Sequence, residues 1–201
     1  MRKIAVTGSL GAGKTTVCQI VGKLGALVIS SDDIVHRLLI SDRECIQKIR
    51  QLFGAEVIQN HQIDRKKLAE LAFADPQKLS TLEHLLHPLV FKCIQEEYKE
   101  ACKKRKHRWL VVEVPLLFEA GWEAFFDAVI VVASDEKLCQ ERAVKKGISP
   151  ADYAARSKRL LPNEEKMRLA HFVVHNNTTR EDLEKQVLEI INNIIPKNLD
   201  E

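Results

Sequence analysis

The run Gly8-Ser9-Leu10-Gly11-Ala12-Gly13-Lys14-Thr15, followed by Thr16, constrains this chain more than any other stretch. It fills every fixed position of the pattern G-x-x-x-x-G-K-[ST]. Ile4-Ala5-Val6 just before it reads as a buried strand, and Thr15 to Lys23 just after it reads as a helix. The competing reading is a chance glycine turn before a helix, and the filled pattern with the right flanks argues against it. Glycines leave no Cβ between the backbone N–H groups and an approaching anion. The helix start adds the positive end of its dipole. The pattern therefore predicts a nucleoside triphosphate site built from Gly11, Ala12, Gly13, Lys14, Thr15 and Thr16. Lys14 is expected to reach the β- and γ-phosphates, and the Thr15 hydroxyl to ligate Mg²⁺.

Composition narrows the class. A chain of 201 residues is long enough for one core with inserts, and its 45% hydrophobic content is ordinary for a globular protein. A net charge of +3 is too small to argue for a nucleic-acid partner. No apolar run reaches membrane-spanning length. The chain enters a strand at once, so no signal peptide is expected. Cys18, Cys45, Cys93, Cys102 and Cys139 are odd in number and contain no C-x-x-C pair. That usage suggests reduced thiols and a cytoplasmic location.

Taken in order, the apolar runs Leu27–Ile29, Trp109–Val114, Ala128–Val132 and Phe172–Val174 join the first strand as candidate buried strands. Between the second and third of these strands, residues 42 to 105 read as almost wholly helical. One helix runs from Asp42 to Phe53 and stops at Gly54. A second starts at Asp64, a third at Asp75-Pro76, and Pro88 is expected to break that third pattern and begin a fourth. The basic run Lys103 to Arg108 reads as a solvated helix end, where cations favour the dipole. Ser31 or Asp32 is the expected cap of the helix through Ile34 to Leu39. Ser134 and a Thr178–Glu181 capping box are expected to start two later helices, the last ending before Pro196 ahead of a polar, frayed tail. Ser149-Pro150 starts a short helix carrying Arg156 and Arg159. The expected moving parts are the helical insert and the segment Arg142 to Lys166.

The pattern is α/β, a parallel sheet of five strands with a long helical insert. Neither the D-x-x-G nor the N-K-x-D string of a guanine-nucleotide switch occurs. Arginines beyond the fourth strand suit a lid over a triphosphate, as in a small-molecule kinase. In such a sheet the loop after a strand opens on the ligand side, so Asp32 and Asp33 are candidates for the reaction site. For both, serving the helix N-terminus is the competing reading.

From Ile4 to about Val187 the sequence resembles the dephospho-coenzyme A kinase family. The phosphate loop alone is shared by many families. More particular are Leu86-His87-Pro88, matching L-H-P, and Val114-Pro115-Leu116-Leu117-Phe118-Glu119, matching V-P-L-L-F-E. Asp32 matches the second Asp of the family's D-A-D segment. Asp64-Arg65 with Leu68 and Phe73 match its D-R-x-x-L stretch. Arg156, Glu164-Glu165-Lys166 and Asn176 match the lid and the segment after it. Ser30, Leu160 and His171 depart from the family's usual Asp, Gln and Asp. Ser30 weakens any scheme that needs two carboxylates after the second strand.

The resemblance implies a single domain over residues 1–201 with a P-loop NTP hydrolase-like core (1–30, 109–141 and 167–195). It adds a helical acceptor-binding insert (about 31–108) and a small helical lid (about 142–166). It implies transfer of a phosphoryl group from ATP, with Mg²⁺, to the ribose 3′-hydroxyl of dephospho-coenzyme A, the last step of coenzyme A synthesis. Asp32 would orient that hydroxyl or take its proton, and Lys14, Arg142 and Arg156 would meet the phosphates. Asn176 would meet the adenine; Arg65, His87, Leu116 and Glu119 would line the acceptor side. Competing readings make Arg65 the partner of a nearby helix acid, His87 a packed residue, Leu116 core packing, and Arg159 and Lys166 solvated lid charges. Glu113 reads equally as an acid near the metal and as a strand-end charge. The expected partner is the small-molecule acceptor, without nucleic acid or membrane, in a monomer or small homo-oligomer.

Overall fold

Short, continuous apolar runs assemble the sheet. A computed structural model describes residues 1–194 of the chain. The described residues fall into two compact units, Met1–Ile29 with the chain from Ala101 onward, and Ser30–Glu100. The first unit opens with β1 (Arg2–Gly8), α1 (Lys14–Lys23) and β2 (Leu27–Ser30), whose last residue begins the second unit.

The second unit holds α2 (Ser31–Ser41), α3 (Arg43–Phe53), β3 (Ile58–Gln59), β4 (Gln62–Ile63), α4 (Arg65–Phe73) and most of α5 (Pro76–Lys104). The first unit resumes with β5 (Trp109–Glu113), β6 (Ala128–Ala133), α6 (Glu136–Lys145) and α7 (Pro150–Ser157). It continues through α8 (Asn163–Leu169), β7 (Phe172–His175) and α9 (Arg180–Ile194).

The expected five-stranded parallel sheet forms with strand order β2-β5-β1-β6-β7. β1 pairs in parallel with β5 (Ala5 beside Val112) and with β6 (Ala5 beside Val129), and β6 pairs in parallel with β7. These central strands are apolar on both faces, so they read as continuous runs. Ile4, Val6, Val111, Ile130 and Val132 point to the face that Val17 and Val21 of α1 and Leu183 and Val187 of α9 cover. Burying each such side chain contributes about 1.5–3 kcal/mol. That packing fixes α1, and with it the loop between β1 and α1.

Within the stretch expected to be almost wholly helical, one short strand pair interrupts the helices. Ile58–Gln59 and Gln62–Ile63 pair as an antiparallel hairpin. Its two turn residues, Asn60 (φ 50°) and His61 (φ 64°), are left-handed, the backbone of a tight primed turn. Pro88 does not break the helix: α5 runs through it. An interior proline costs about 3 kcal/mol. Against that stand Leu82, Leu86, Val90 and Ile94, one i, i+4 stripe buried on both sides of Pro88. Four such side chains outweigh one lost hydrogen bond, at about 1.5–3 kcal/mol each.

Several helix starts shift by a residue. Ser30, rather than Ser31 or Asp32, caps α2, its Oγ accepting from Asp33 N at 3.2 Å. The residue before α6 is Asp135, not Ser134. At α9, Thr179 Oγ1 accepts from Asp182 N at 3.2 Å, so the cap lies one position beyond Thr178. Asp42, Asp64, Asp75 and Ser149 cap as expected. The expected end of the last helix before Pro196, and the polar tail after it, lie outside the described residues. Among those residues the five cysteines are free thiols; burial pushes Cys45 up to about 11 and raises Cys18 and Cys139 as well.

Candidate active site

The loop between β1 and α1 is built from backbone that a side chain would obstruct. Gly11 has φ +81°, and a Cβ there would lie 2.2 Å from the Cys139 carbonyl oxygen. Gly13, at φ +104°, caps α1, and a Cβ there would lie 2.2 Å from Asn176 Nδ2. Both conformations favour glycine, and both close approaches require it. The obstacle at Gly11 is backbone of a packed helix, so it cannot swing aside. Gly11→Ala is expected to lower unfolding free energy by about 2–4 kcal/mol, from overpacking plus left-handed strain. Urea unfolding followed by far-UV circular dichroism measures it.

Lys14 opens α1 and is largely buried. Its Nζ donates to the carbonyls of Gly8 (3.1 Å) and Ser9 (2.9 Å), which arch the ammonium over the loop. Thr15 is next, and its hydroxyl donates to Glu113 Oε1 at 3.0 Å. Glu113 ends β5 and is in register with Val6 of β1, two residues before the loop's first glycine. The sequence left Glu113 between two readings; the fold brings it to Thr15. Its signal was the lone acid closing an otherwise apolar strand. The hydroxyl and carboxylate form a hard-oxygen pair suited to Mg²⁺. Among the described residues no cluster of three or more His, Cys, Asp or Glu could hold a metal by itself. A metal held at Thr15 and Glu113 would keep positions open to phosphate oxygens and water.

Behind the loop, Asn176 follows β7 and donates from Nδ2 to the Ala12 carbonyl at 2.8 Å. Its own carbonyl accepts from Arg142 Nη2 (2.9 Å) and from the Ser134 hydroxyl (2.9 Å). Arg142 Nη1 donates to Ser134 Oγ at 3.1 Å. Arg142, expected to meet the phosphates, sits in α6 with both Nη atoms engaged at the β7 exit. Asn176 Nδ2 is likewise committed to the loop backbone. Ser134, expected as a cap, is part of this brace.

After β5 the chain turns through Pro115–Gly121, with Leu117 fully buried and Leu116 half-buried. Glu119, expected on the acceptor side, is mostly enclosed. Its Oε1 accepts from Lys166 Nζ at 2.9 Å and from Leu161 N at 2.8 Å. Lys166, expected as a solvated lid charge, is 0% exposed. A sequence such as Glu164-Glu165-Lys166-Met167-Arg168 looks solvated, and the partner carboxylate is remote in the chain. Arg156 is exposed in α7, while Arg159 lies beyond that helix.

In the second unit, Asp32 and Asp33 stand in the exposed first turn of α2, directly after β2. Ser30 supplies the cap, so neither is needed for it. Arg65 begins α4 with Nη1 3.1 Å from His36 Nδ1, a partner that is an imidazole rather than the acid its bland reading required. His87 is half-buried within α5.

A loop of this geometry serves many kinases, so comparison with known proteins decides among them. A family model described as dephospho-CoA kinase matches residues 2–182. The chain belongs to the dephospho-CoA kinase family. A dephospho-CoA kinase of Chlamydia abortus is 38% identical over 188 residues, 93% of each chain. A solved protein of Thermus thermophilus superposes with TM-score 0.82 at 30% identity, over 96% of this chain and 97% of that one. The solved dephospho-CoA kinase of Campylobacter jejuni has TM-score 0.72 at 29% identity, over 99% and 100% of the two chains. As a dephospho-CoA kinase the chain uses ATP to phosphorylate dephospho-coenzyme A, a small molecule, at the last step of coenzyme A biosynthesis. Among the described residues no helix is long and apolar enough to cross a membrane.

Proposed function

We propose that this dephospho-CoA kinase transfers the γ-phosphoryl group of Mg·ATP to the ribose 3′-hydroxyl of its acceptor, with the donor and acceptor roles divided between distinct residues. The carrying observation is the pair Lys14 and Thr15 in the first turn of α1, with Glu113 Oε1 3.0 Å from Thr15 Oγ1. Amides of Gly11 to Thr16 receive the triphosphate, and the N-terminus of α1 adds its field. The Lys14 ammonium exchanges the Gly8 and Ser9 carbonyls for phosphate oxygens. Thr15, backed by Glu113, would hold the metal, which when bound would neutralise charge on the transferring group. Asn176 keeps Ala12 in place for the donor, and Arg142 keeps Asn176 in place.

Asp32 follows β2 at its carboxyl end, the side on which ligands meet open α/β sheets. It orients the 3′-hydroxyl or accepts its proton. Arg156, exposed in α7, closes over the phosphates. Arg65, His87 and Leu116 are assigned to the acceptor. Glu119 is given no direct contact in this reading, because Oε1 accepts from Lys166 and Leu161 and Oε2 is buried.

The test incubates the protein with Mg·ATP and a panel of acceptors: dephospho-coenzyme A, nucleoside monophosphates and shikimate. ADP release confined to dephospho-coenzyme A, with the product phosphorylated at the 3′ position by ³¹P NMR, is the expected outcome. Turnover on another acceptor, or without one, would remove this reading.

A further inference from the structure

Buried ion pairs are a poor way to stabilise a fold. Desolvation offsets most of their attraction, and apolar replacements of similar volume are often neutral or better. The Lys166–Glu119 pair is a marked case. Lys166 is 0% exposed, yet Glu119 Oε2 is buried and no group among the described residues donates to it. A pair kept in that condition is better explained by what it holds in position.

What it holds is specific. Lys166 Nζ donates at once to Glu119 Oε1 (2.9 Å) and to the Pro115 carbonyl (3.1 Å), which also accepts from Thr7 Oγ1 (3.3 Å). Pro115 lies two residues after Glu113, so pinning its carbonyl fixes the direction in which β5 ends. That end presents Glu113 to Thr15. One turn earlier in α8, Asn163 Oδ1 accepts from Ser9 Oγ at 3.4 Å. Ser9 is also the residue whose carbonyl holds Lys14 Nζ. One short helix thus reaches both the carbonyl partner of Lys14 and the strand end that carries the carboxylate partner of Thr15.

We propose that the Lys166–Glu119 pair is a positioning device for phosphoryl transfer. Through α8 it sets the Ser9 side of the phosphate loop and the β5 exit together, so that Lys14 and Thr15 are held in one geometry. Glu119 also fastens Leu161, the residue that returns from α7, and so gives the arginine-bearing segment a fixed root. The inference rests on the kinase reading above and adds positioning residues to it. A misplacement of about 1 Å can lower a rate by about 10²-fold.

The test is the double variant Lys166→Met with Glu119→Leu, which removes both charges and leaves no buried ion unpaired. The expected result is a folded protein with a melting temperature near the parent's. Its KM for ATP and dephospho-coenzyme A should stay within about threefold, with kcat about 10- to 100-fold lower. A folded double variant with the parent's kcat would overturn the proposal. A role confined to stability shifts the melting temperature and leaves kcat of the folded protein alone. Glu119→Gln is measured in parallel, because its amide oxygen still accepts from Leu161 N while the charge is gone. If the double variant does not fold, this variant decides by the same kcat criterion. Parent enzyme runs beside both. If the parent turns over ATP only with a different acceptor, the kinase reading fails separately, and the same kcat comparison with that acceptor still decides the role of the pair.

Discussion

Lys14→Ala is expected to lower kcat/KM for ATP by about 10³-fold or more, with both binding and turnover affected. Removing one preorganised donor from a transition-state charge lowers rates by about 10²–10³-fold, and Lys14 brings a full charge as well as a donor. Its present contacts fix where that charge sits. Nζ is held by the Gly8 and Ser9 carbonyls, largely out of solvent, one residue after Gly13. Alanine also removes one donor from each of those carbonyls, at about 1 kcal/mol each or less in stability, since Ser9 O still accepts from Ala12 N at 3.2 Å. Lys14→Met loses the charge and the donor alike but keeps the bulk of the stem, so it separates their loss from lost packing. ADP release under initial-rate conditions gives the kinetics, and calorimetric titration with an ATP analogue gives the affinity. Parent-like kcat/KM in the methionine variant would take Lys14 out of phosphoryl transfer.

The same residue shows what sequence reading captures. A strand, glycines that permit left-handed turns, and a helix start are local facts, so the loop and its sheet were legible from short runs. The hairpin at Ile58–Ile63 was not, because each strand has two residues and its turn lacks glycine. Pro88 read as a stop by a local rule. The buried stripe from Leu82 to Ile94 overrides that rule, and its weight depends on packing that no window of sequence contains. The burial of Lys166 was missed for a related reason. It looks like a surface charge in its own segment, and only the fold brings it to Glu119. Glu113 lay between these cases, visible as an anomaly on an apolar strand but without a role until Thr15 was beside it.

Asp32→Asn is the second large effect expected, a fall in kcat of about 10²-fold or more with ATP affinity within about threefold. Asparagine keeps the shape and one acceptor oxygen but loses the charge and the capacity to take a proton. The variant is informative because the fold does not lean on this carboxylate as a cap. Ser30 Oγ already accepts from Asp33 N, so the start of α2 survives. Removing one negative charge from a helix first turn itself costs only about 0.3–1 kcal/mol. A lowered kcat therefore cannot be assigned to unfolding once the melting temperature is shown to hold. The departure at Ser30 sharpens the point. Where the family resemblance implies a second acid, this chain has a hydroxyl engaged in capping, so Asp32 has no carboxylate at that position to take over its role. If Asp32→Asn turns over at the parent rate with both substrates saturating, the acceptor hydroxyl is activated without it, and Asp33, one residue further along the exposed first turn of α2, becomes the carboxylate to replace next.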